Sequence, residues 1–358
     1  MKGRVLVAGF ATRHVAQSAF HAGYEVCAVD HFCDQDLSWY TKDRQRFEDL
    51  ADLPDALEQI AQRHNFDMLI VTSGAEELPS TIPLCGTPRE HVAQFLDKLD
   101  IQHFFKANTV PVPRLLNEGE YPAMIKPRRG AGGWRNAVVS TAAEQRRWEL
   151  LYPEVEYLRQ EMIAGIPASV CCVADGKRAR AIATNEQILQ GKGESSFGFC
   201  GSITPFDHPL SGQMMKMAEQ IAAASGCRGT IGIDFVVSDE QLHAIEINPR
   251  FQGTVDTVER ACGCNLFEYH VDACAGILPP RSPKKKQVAI RSILFADRDC
   301  TVKADLKHLR SYIADIPLPD TSFEAGQALV SVYGWGETRD AAAALLDKHI
   351  STVKQYIR

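Results

Sequence analysis

No run of apolar residues in this sequence approaches the roughly 18 that a membrane-crossing helix needs. The opening Met1-Lys2-Gly3-Arg4 and the short apolar run behind it are expected to be a first buried strand, since a signal peptide's long apolar stretch is missing. Patterned basic charge is scarce too. The formal net charge is -6, and Lys284-Lys285-Lys286 beside Pro283 is the one dense basic stretch. A nucleic-acid partner would need a basic stripe, so the expectation is a soluble cytoplasmic protein without nucleic-acid or membrane partners. Cysteine is plentiful at 11, yet no Cys-x-x-Cys pair occurs, and Cys171-Cys172 and Cys262-Gly263-Cys264 lack zinc-ligand spacing. Most of these thiols have apolar neighbours and are expected to be reduced, buried and structural. The three-glycine dinucleotide fingerprint is also missing. The first turn, Gly9-Phe10-Ala11-Thr12-Arg13, has one glycine, so its backbone cannot approach a pyrophosphate closely. Asp30 at the end of the second strand therefore does not make a nicotinamide site. There is no internal repeat and no low-complexity tract.

What is present is an ordinary globular composition, 45% hydrophobic and 23% charged, over 358 residues, which implies two or three domains. The first third alternates strand and helix. Apolar runs at 5–8, 24–29 and 68–71 are separated by helical stretches at 13–22, closed by Gly23, and at 54–64. That order predicts a parallel sheet with helices on its faces, a Rossmann-like shell. Pro111-Val112-Pro113 changes the pattern, and strands dominate from there, at 123–126, 138–139, 157–163, 168–173, 230–237 and 242–247. Met214, Met217, Ala218 and Ile221 keep helical spacing and predict a core-facing helix. Pro279-Pro280 marks a second boundary, followed by a strand at 288–295 and a helix at 338–357. The expected division is 1–108, 109–278 and 279–358.

Chemistry concentrates in two segments. Asp234 lies on one strand, and Glu246 and Asn248, two apart on the next, share a face. The short turn at 238–241 makes the strands an antiparallel pair, which can bring Asp234 opposite Glu246. Two carboxylates and an amide oxygen are hard donors suited to Mg²⁺, and Arg250 follows on the same face. Alternation with Ile245 and Ile247 suits a solvated strand face equally well. The second segment is Lys126-Pro127-Arg128-Arg129-Gly130-Ala131-Gly132-Gly133. A lysine at a strand end and a glycine-rich turn can hold phosphates by point charge and backbone N–H groups. No Gly-Lys-Ser/Thr follows, so it is not a Walker motif, and a tight structural turn remains open. Asn185-Glu186-Gln187, with glycines at 191, 193, 198 and 201 and Glu194 between them, is either a further loop near the site or a surface connection.

In order along the chain, Asp97-Lys98, Val110-Pro111-Val112-Pro113, Lys126 and its loop, Gln160-Glu161-Met162-Ile163, Asp234 and Glu246-Ile247-Asn248-Pro249-Arg250 resemble the ATP-grasp superfamily. Residues 325–336 resemble the C-terminal portion of biotin carboxylase-like members. The whole is similar to archaeal ATP-grasp carboligases and, more distantly, to the pyrrolysine-pathway ligase. The resemblance implies an α/β, ATP-grasp fold with an N-terminal Rossmann-like domain and a small C-terminal α+β region. It also implies ATP and Mg²⁺ or Mn²⁺ as cofactors. Lys98 and Lys126, with Gly130, Gly132 and Gly133, correspond to the phosphate contacts; Gln160, Glu161 and Ile163 to the adenine-facing hinge. Asp234, Glu246 and Asn248 correspond to the metal ligands, and Arg250 to the group steadying the phosphoryl and later oxyanion. The implied reaction joins a small-molecule carboxylate to an amine through an acyl phosphate; a homodimer is left open. Trp134-Arg135 departs from the usual glycine continuation. Phe251-Gln252-Gly253-Thr254 lacks the glutamate of biotin carboxylases, and no Met-Lys-Met acceptor is present, which disfavours carboxylation. A carboxylase-like enzyme and a nucleotide-binding protein without turnover stand as alternatives.

Overall fold

The computed structural model describes residues 2–191, 196–238 and 240–357. The first apolar run becomes β1 (Arg4–Gly9), paired in parallel with β2 (Glu25–Asp30) and β4 (Met68–Val71), with β3 (Asp43–Arg46) outside β2. Side chains alternate across a strand. Val5 and Val7 thus join the core with Val15, Ala16 and Ala19 of α1 (Arg13–His21). Leu6 and Ala8 instead meet Leu53, Leu57 and Ile60 of α2 (Leu53–Arg63). A sheet covered on both faces explains the unbroken apolar run. The short α3 (Arg89–Val92) leads to α4 (Lys98–Ala107), whose cap is the Asp97 carboxylate accepting from Leu99 N–H.

A small antiparallel sheet follows, in the order β6 (Ala137–Val139), β5 (Ala123–Pro127), β7 (Tyr157–Glu161), closed by α5 (Ala142–Leu151) over Ala123, Ile125, Val139 and Trp148. The chain then builds β8 (Ile166–Asp175), β9 (Ala179–Leu189), β10 (Phe199–Thr204), α6 (Ser211–Ala224), β11 (Arg228–Val237), β12 (Leu242–Asn248), α7 (Val255–Cys262) and α8 (Leu266–Cys274). Last come β13 (Val288–Phe295), β14 (Cys300–Val302), β15 (Ile313–Ala314), β16 (Thr321–Phe323), β17 (Ala328–Gly336) and α9 (Arg339–Val353). Eight of these strands form one sheet, in the order β12-β11-β8-β9-β10-β13-β17-β15. The boundary expected at 278/279 is a crossover of the chain within that sheet, because β13 hydrogen-bonds directly to β10.

Met214, Ala218 and Ile221 of α6 bury against β8 and β11, as their spacing predicts. On the opposite face, Cys171, Val173 and Ile182 meet Phe251, Val258 and Phe267, and this core runs on into α1 and β1. Phe251 and Phe267 are fully buried, worth about 1.5–3 kcal/mol each. They join the first sheet to the large one. Polar ties reinforce the joint: Ser18 Oγ donates to Glu259, and Asp256 of α7 pairs with Arg13. No helix among the described residues is long and apolar enough to cross a membrane.

Candidate functional site

The β11–β12 hairpin sets Asp234 opposite Glu246 and Gly232 opposite Asn248. Gln187 on β9 donates to one oxygen of Asp234 at 3.1 Å, and Asn248 Nδ2 donates to the other at 3.2 Å. Arg250 extends the row. Its Nη2 donates to Asn248 Oδ1 at 3.0 Å and its Nε to Glu76 Oε1 at 2.6 Å, the latter from the loop after β4. Burial, and then the facing Glu246 charge, push Asp234 up to about 7, against the pull of Arg250 and the Asn248 hydrogen bond. Two carboxylates set opposite each other on the cavity wall favour a cation between them. The donors are hard oxygens, so the set fits Mg²⁺.

Lys126 lies half-buried one residue before the end of β5. Desolvation lowers its pKa to about 8, with Lys98 adding to the drop and Glu246 and Asp234 opposing it. Lys98, in the first turn of α4, donates to Gly130 O at 2.6 Å and lies 3.4 Å from Glu246 Oε1. Cations and carboxylates thus interleave as a metal-bound polyphosphate requires. The glycine-rich loop touches the second glycine segment: Phe199 N–H donates to Gly132 O at 3.3 Å. Gly133 has φ +73, and a Cβ there would stand 2.0 Å from Phe197 O, so no other residue fits. The Arg135 guanidinium lies 3.7 Å from the Trp134 ring centroid, and Trp148 Nε1 donates to Arg135 O at 2.9 Å, pinning the non-glycine continuation. Gly193 and Glu194 lie outside the described residues.

Of the residues expected to bind nucleotide, metal or the reacting group, all but Gln160 line one cavity of about 630 Å³. Gln160 is a correction. Strand alternation turns its side chain to the face opposite Glu161, where Nε2 donates to Gln102 Oε1 at 2.6 Å within the core. Glu161 and Ile163 stay on the wall, joined by Met162, which is exposed. The 185–187 cluster splits as well. Gln187 lines the cavity, Asn185 is buried against Ser169 and Thr204, and Glu186 pairs with Arg339 of α9.

Sequence reasoning missed a second end of this cavity, which is built from three distant segments. Asp30 and Asp34 come from the end of β2, Arg13 and His14 from the start of α1, and Arg291 and Asp315 from the C-terminal strands. Arg13 makes two hydrogen bonds to Asp256, at 2.7 and 3.0 Å, and one to Asp315 at 2.9 Å; Arg291 reaches Asp315 at 2.9 Å. These guanidiniums hold Asp256 and Asp315 well below the usual carboxylate range, against burial. Asp30 accepts from Thr12 N at 2.6 Å, Thr12 Oγ1 at 2.7 Å and Cys33 N at 2.7 Å. The position where a dinucleotide's ribose would be held is therefore filled by the protein's own turn, as the missing glycines imply. The one signal in the sequence was Asp-rich spacing after β2, at 30, 34 and 36.

Among the cysteines, five are buried and six are partly exposed, all of them free thiols, so burial was expected too widely. Cys85, His270 and Cys274 gather their ligand atoms within 4.8 Å. His270 has no lone pair to spare there, because Nδ1 accepts from Thr230 N–H at 2.9 Å and Nε2 then donates to Cys85 O at 2.9 Å. The ring serves to tie α8 to the start of β11 and the loop after β4.

The chain is similar to several known proteins. Residues 95–254 match the family model described as an ATP-grasp domain. An uncharacterized protein of Methanocaldococcus jannaschii is 24% identical over 92% of this chain and 87% of its own length. The carbamoyl phosphate synthase large chain of Thermus thermophilus is 24% identical over 72% of this chain, which spans only 28% of that relative. The biotin carboxylase of Campylobacter jejuni, solved as a β,γ-ATP complex, shares the fold with a TM-score of 0.77 at 15% identity, over 99% of this chain and 91% of that one. With the ordered motifs gathered in one cavity and the matching model lying over them, residues 95–254 form an ATP-grasp domain.

Proposed function

We propose that this protein is an ATP- and magnesium-dependent carboxylate–amine ligase working through an acyl phosphate. The observation that carries the reading is the convergence of Asp234, Glu246, Asn248 and Arg250 with Lys98 and Lys126 in one cavity, under two glycine segments in mutual contact. Lys98 and Lys126 bind the phosphates, and Asp234, Glu246 and Asn248 would hold the magnesium, which supplies charge neutralisation at the transferring phosphoryl group. Arg250, anchored by Glu76 and Asn248, steadies the negative charge that develops on the carbonyl oxygen when the amine attacks. The Gly130–Gly133 loop excludes water, which protects the acyl phosphate until the amine arrives. No covalent nucleophile is needed; positioning and charge carry the reaction. The test is ADP release on panels of acids and amines with magnesium. Slow release alone, a rise when both are supplied, and one amide per ADP support the reading. A carboxylated product from bicarbonate, or ADP without coupled product, overturns it.

A further inference from the structure

We infer that the acid substrate is a monocarboxylate with an apolar body, its carboxylate reaching Arg250 while the body lies on a wall built by β9, β10, β13, β16 and β17. This rests on the ligase reading and names the class of acid that the ligase takes.

Strand alternation builds the wall. Arg291 and Ser331 share a face of the large sheet, Arg291 Nε donating to Ser331 Oγ at 3.0 Å. Two positions along each strand, on that same face, stand Ile293 and Leu329. Leu189 of β9 and Phe199 of β10 are direct partners and continue the apolar row. Phe197 and Phe323 complete it, and all six residues line the cavity. All but Leu329 are only partly buried, so the row offers concave apolar surface for a ligand to cover.

The wall starts at the reacting centre. Phe199 N–H donates to Gly132 O of the phosphate loop, and Gly133 packs against Phe197 O. A Cβ at Gly253, which closely follows Arg250, would stand 3.4 Å from the Phe199 ring. A carboxylate that takes a phosphoryl group under that loop therefore has its own body beside Phe197 and Phe199. That places the acid on the wall and leaves the amine to approach from elsewhere. The hinge at Glu161 and Ile163 takes adenine on the ligase reading, so the nucleotide leaves the wall free.

Charge sets the rest of the class. Beyond the wall, Arg13 is held by Asp256 and Asp315, and Arg291 by Asp315. His14 brings no positive charge at pH 7, since burial lowers its pKa to about 4. Asp30 and Asp34 line the same region. A second carboxylate or a phosphate on the acid would be enclosed there with no uncommitted cation among the described residues. An alkyl or aryl body incurs no such cost.

The experiment titrates butanoate, hexanoate, octanoate, octanedioate and n-octylamine into the full chain, loaded with Mg²⁺ and a non-hydrolysable ATP analogue, by calorimetry. The expected result is a Kd that falls about fourfold per methylene from butanoate to octanoate, with octanedioate at least tenfold weaker than octanoate. Ile293→Ser should reduce the gain to about twofold per methylene. Ile293→Phe fills the wall, and should leave butanoate unchanged while weakening octanoate at least tenfold. Failure of every acid to bind, no dependence on chain length, octanedioate equal to octanoate, a gain shown by n-octylamine in place of octanoate, or an unchanged gain in both folded variants overturns the inference. The two readings fail separately. Chain-length-dependent acid binding with no amide from any amine sinks the ligase and spares the wall. Amide made equally well from short acids and dicarboxylic acids sinks the wall and spares the ligase.

Discussion

The two ends of the cavity manage buried charge differently. At the hairpin end, Asp234 and Glu246 face each other with Lys98, Lys126 and Arg250 close by, and four of those five groups lie on strands β5, β11 and β12 or directly after them. At the far end, Arg13 gathers Asp36, Asp256 and Asp315 from three separate parts of the chain. The first arrangement gives Glu246 a lysine at 3.4 Å but leaves Asp234 without an ion pair among the described residues, and so is suited to binding and releasing a cation. The second is closed by permanent guanidiniums, apart from Asp34, and works as a joint between the first sheet, α7 and the C-terminal strands. Both arrangements share one cavity, and they differ in how fully the countercharge is built in.

That contrast can be broken most sharply at the hairpin. Glu246→Gln keeps the shape and removes one carboxylate charge, so ATP turnover should fall by about a thousandfold with the urea midpoint little changed. Turnover within a few-fold of wild type in a folded protein would remove Glu246 from the metal set. At the far end the same kind of change should act on stability. Arg13→Met strands Asp256 and leaves Asp315 with Arg291 alone and should cost about 3–5 kcal/mol of unfolding free energy. A loss below about 1 kcal/mol would mean that the cluster is solvated in solution. Gly133→Ala must force φ +73 on an alanine and displace the Phe197 carbonyl, a strain of about 1–3 kcal/mol. It should weaken ATP affinity by roughly tenfold, measured by nucleotide titration. Unchanged affinity would mean that the contact between the loops does not shape the nucleotide site.

The smallest effect sharpens the comparison behind α7. Burial raises Glu259 to about 7, although it accepts from Ser18 Oγ and Leu266 N. A carboxyl raised above its ordinary value of 4.5 binds its proton more tightly folded than unfolded. It therefore stabilises below about pH 4.5, and that contribution is lost as pH rises to about 7. Glu259→Gln retains both acceptor bonds without the charge, and so should gain roughly 1–3 kcal/mol at pH 8 while changing little at pH 4.5. Chemical denaturation at the two values checks it, and a gain equal at both would locate the effect in packing instead.

The sequence by itself determined what is local. The run at β1, the helical spacing of α6 and the two-residue spacing of Glu246 and Asn248 each act over a few residues, so pattern reveals them. The pairing of Asp234 with Glu246 was legible for the same reason, since a short turn leaves a hairpin little choice of register. The face taken by Gln160 was not, because alternation says only that it opposes Glu161 and does not say which of the two meets the cavity. Tertiary structure alone brought Glu76 to Arg250, carried β13 across to β10, and closed Arg13 and Arg291 over carboxylates from three segments. Those contacts join residues up to 302 positions apart. Their partners are chosen by the packing of whole layers and the need to neutralise buried charge, which no short stretch of sequence records.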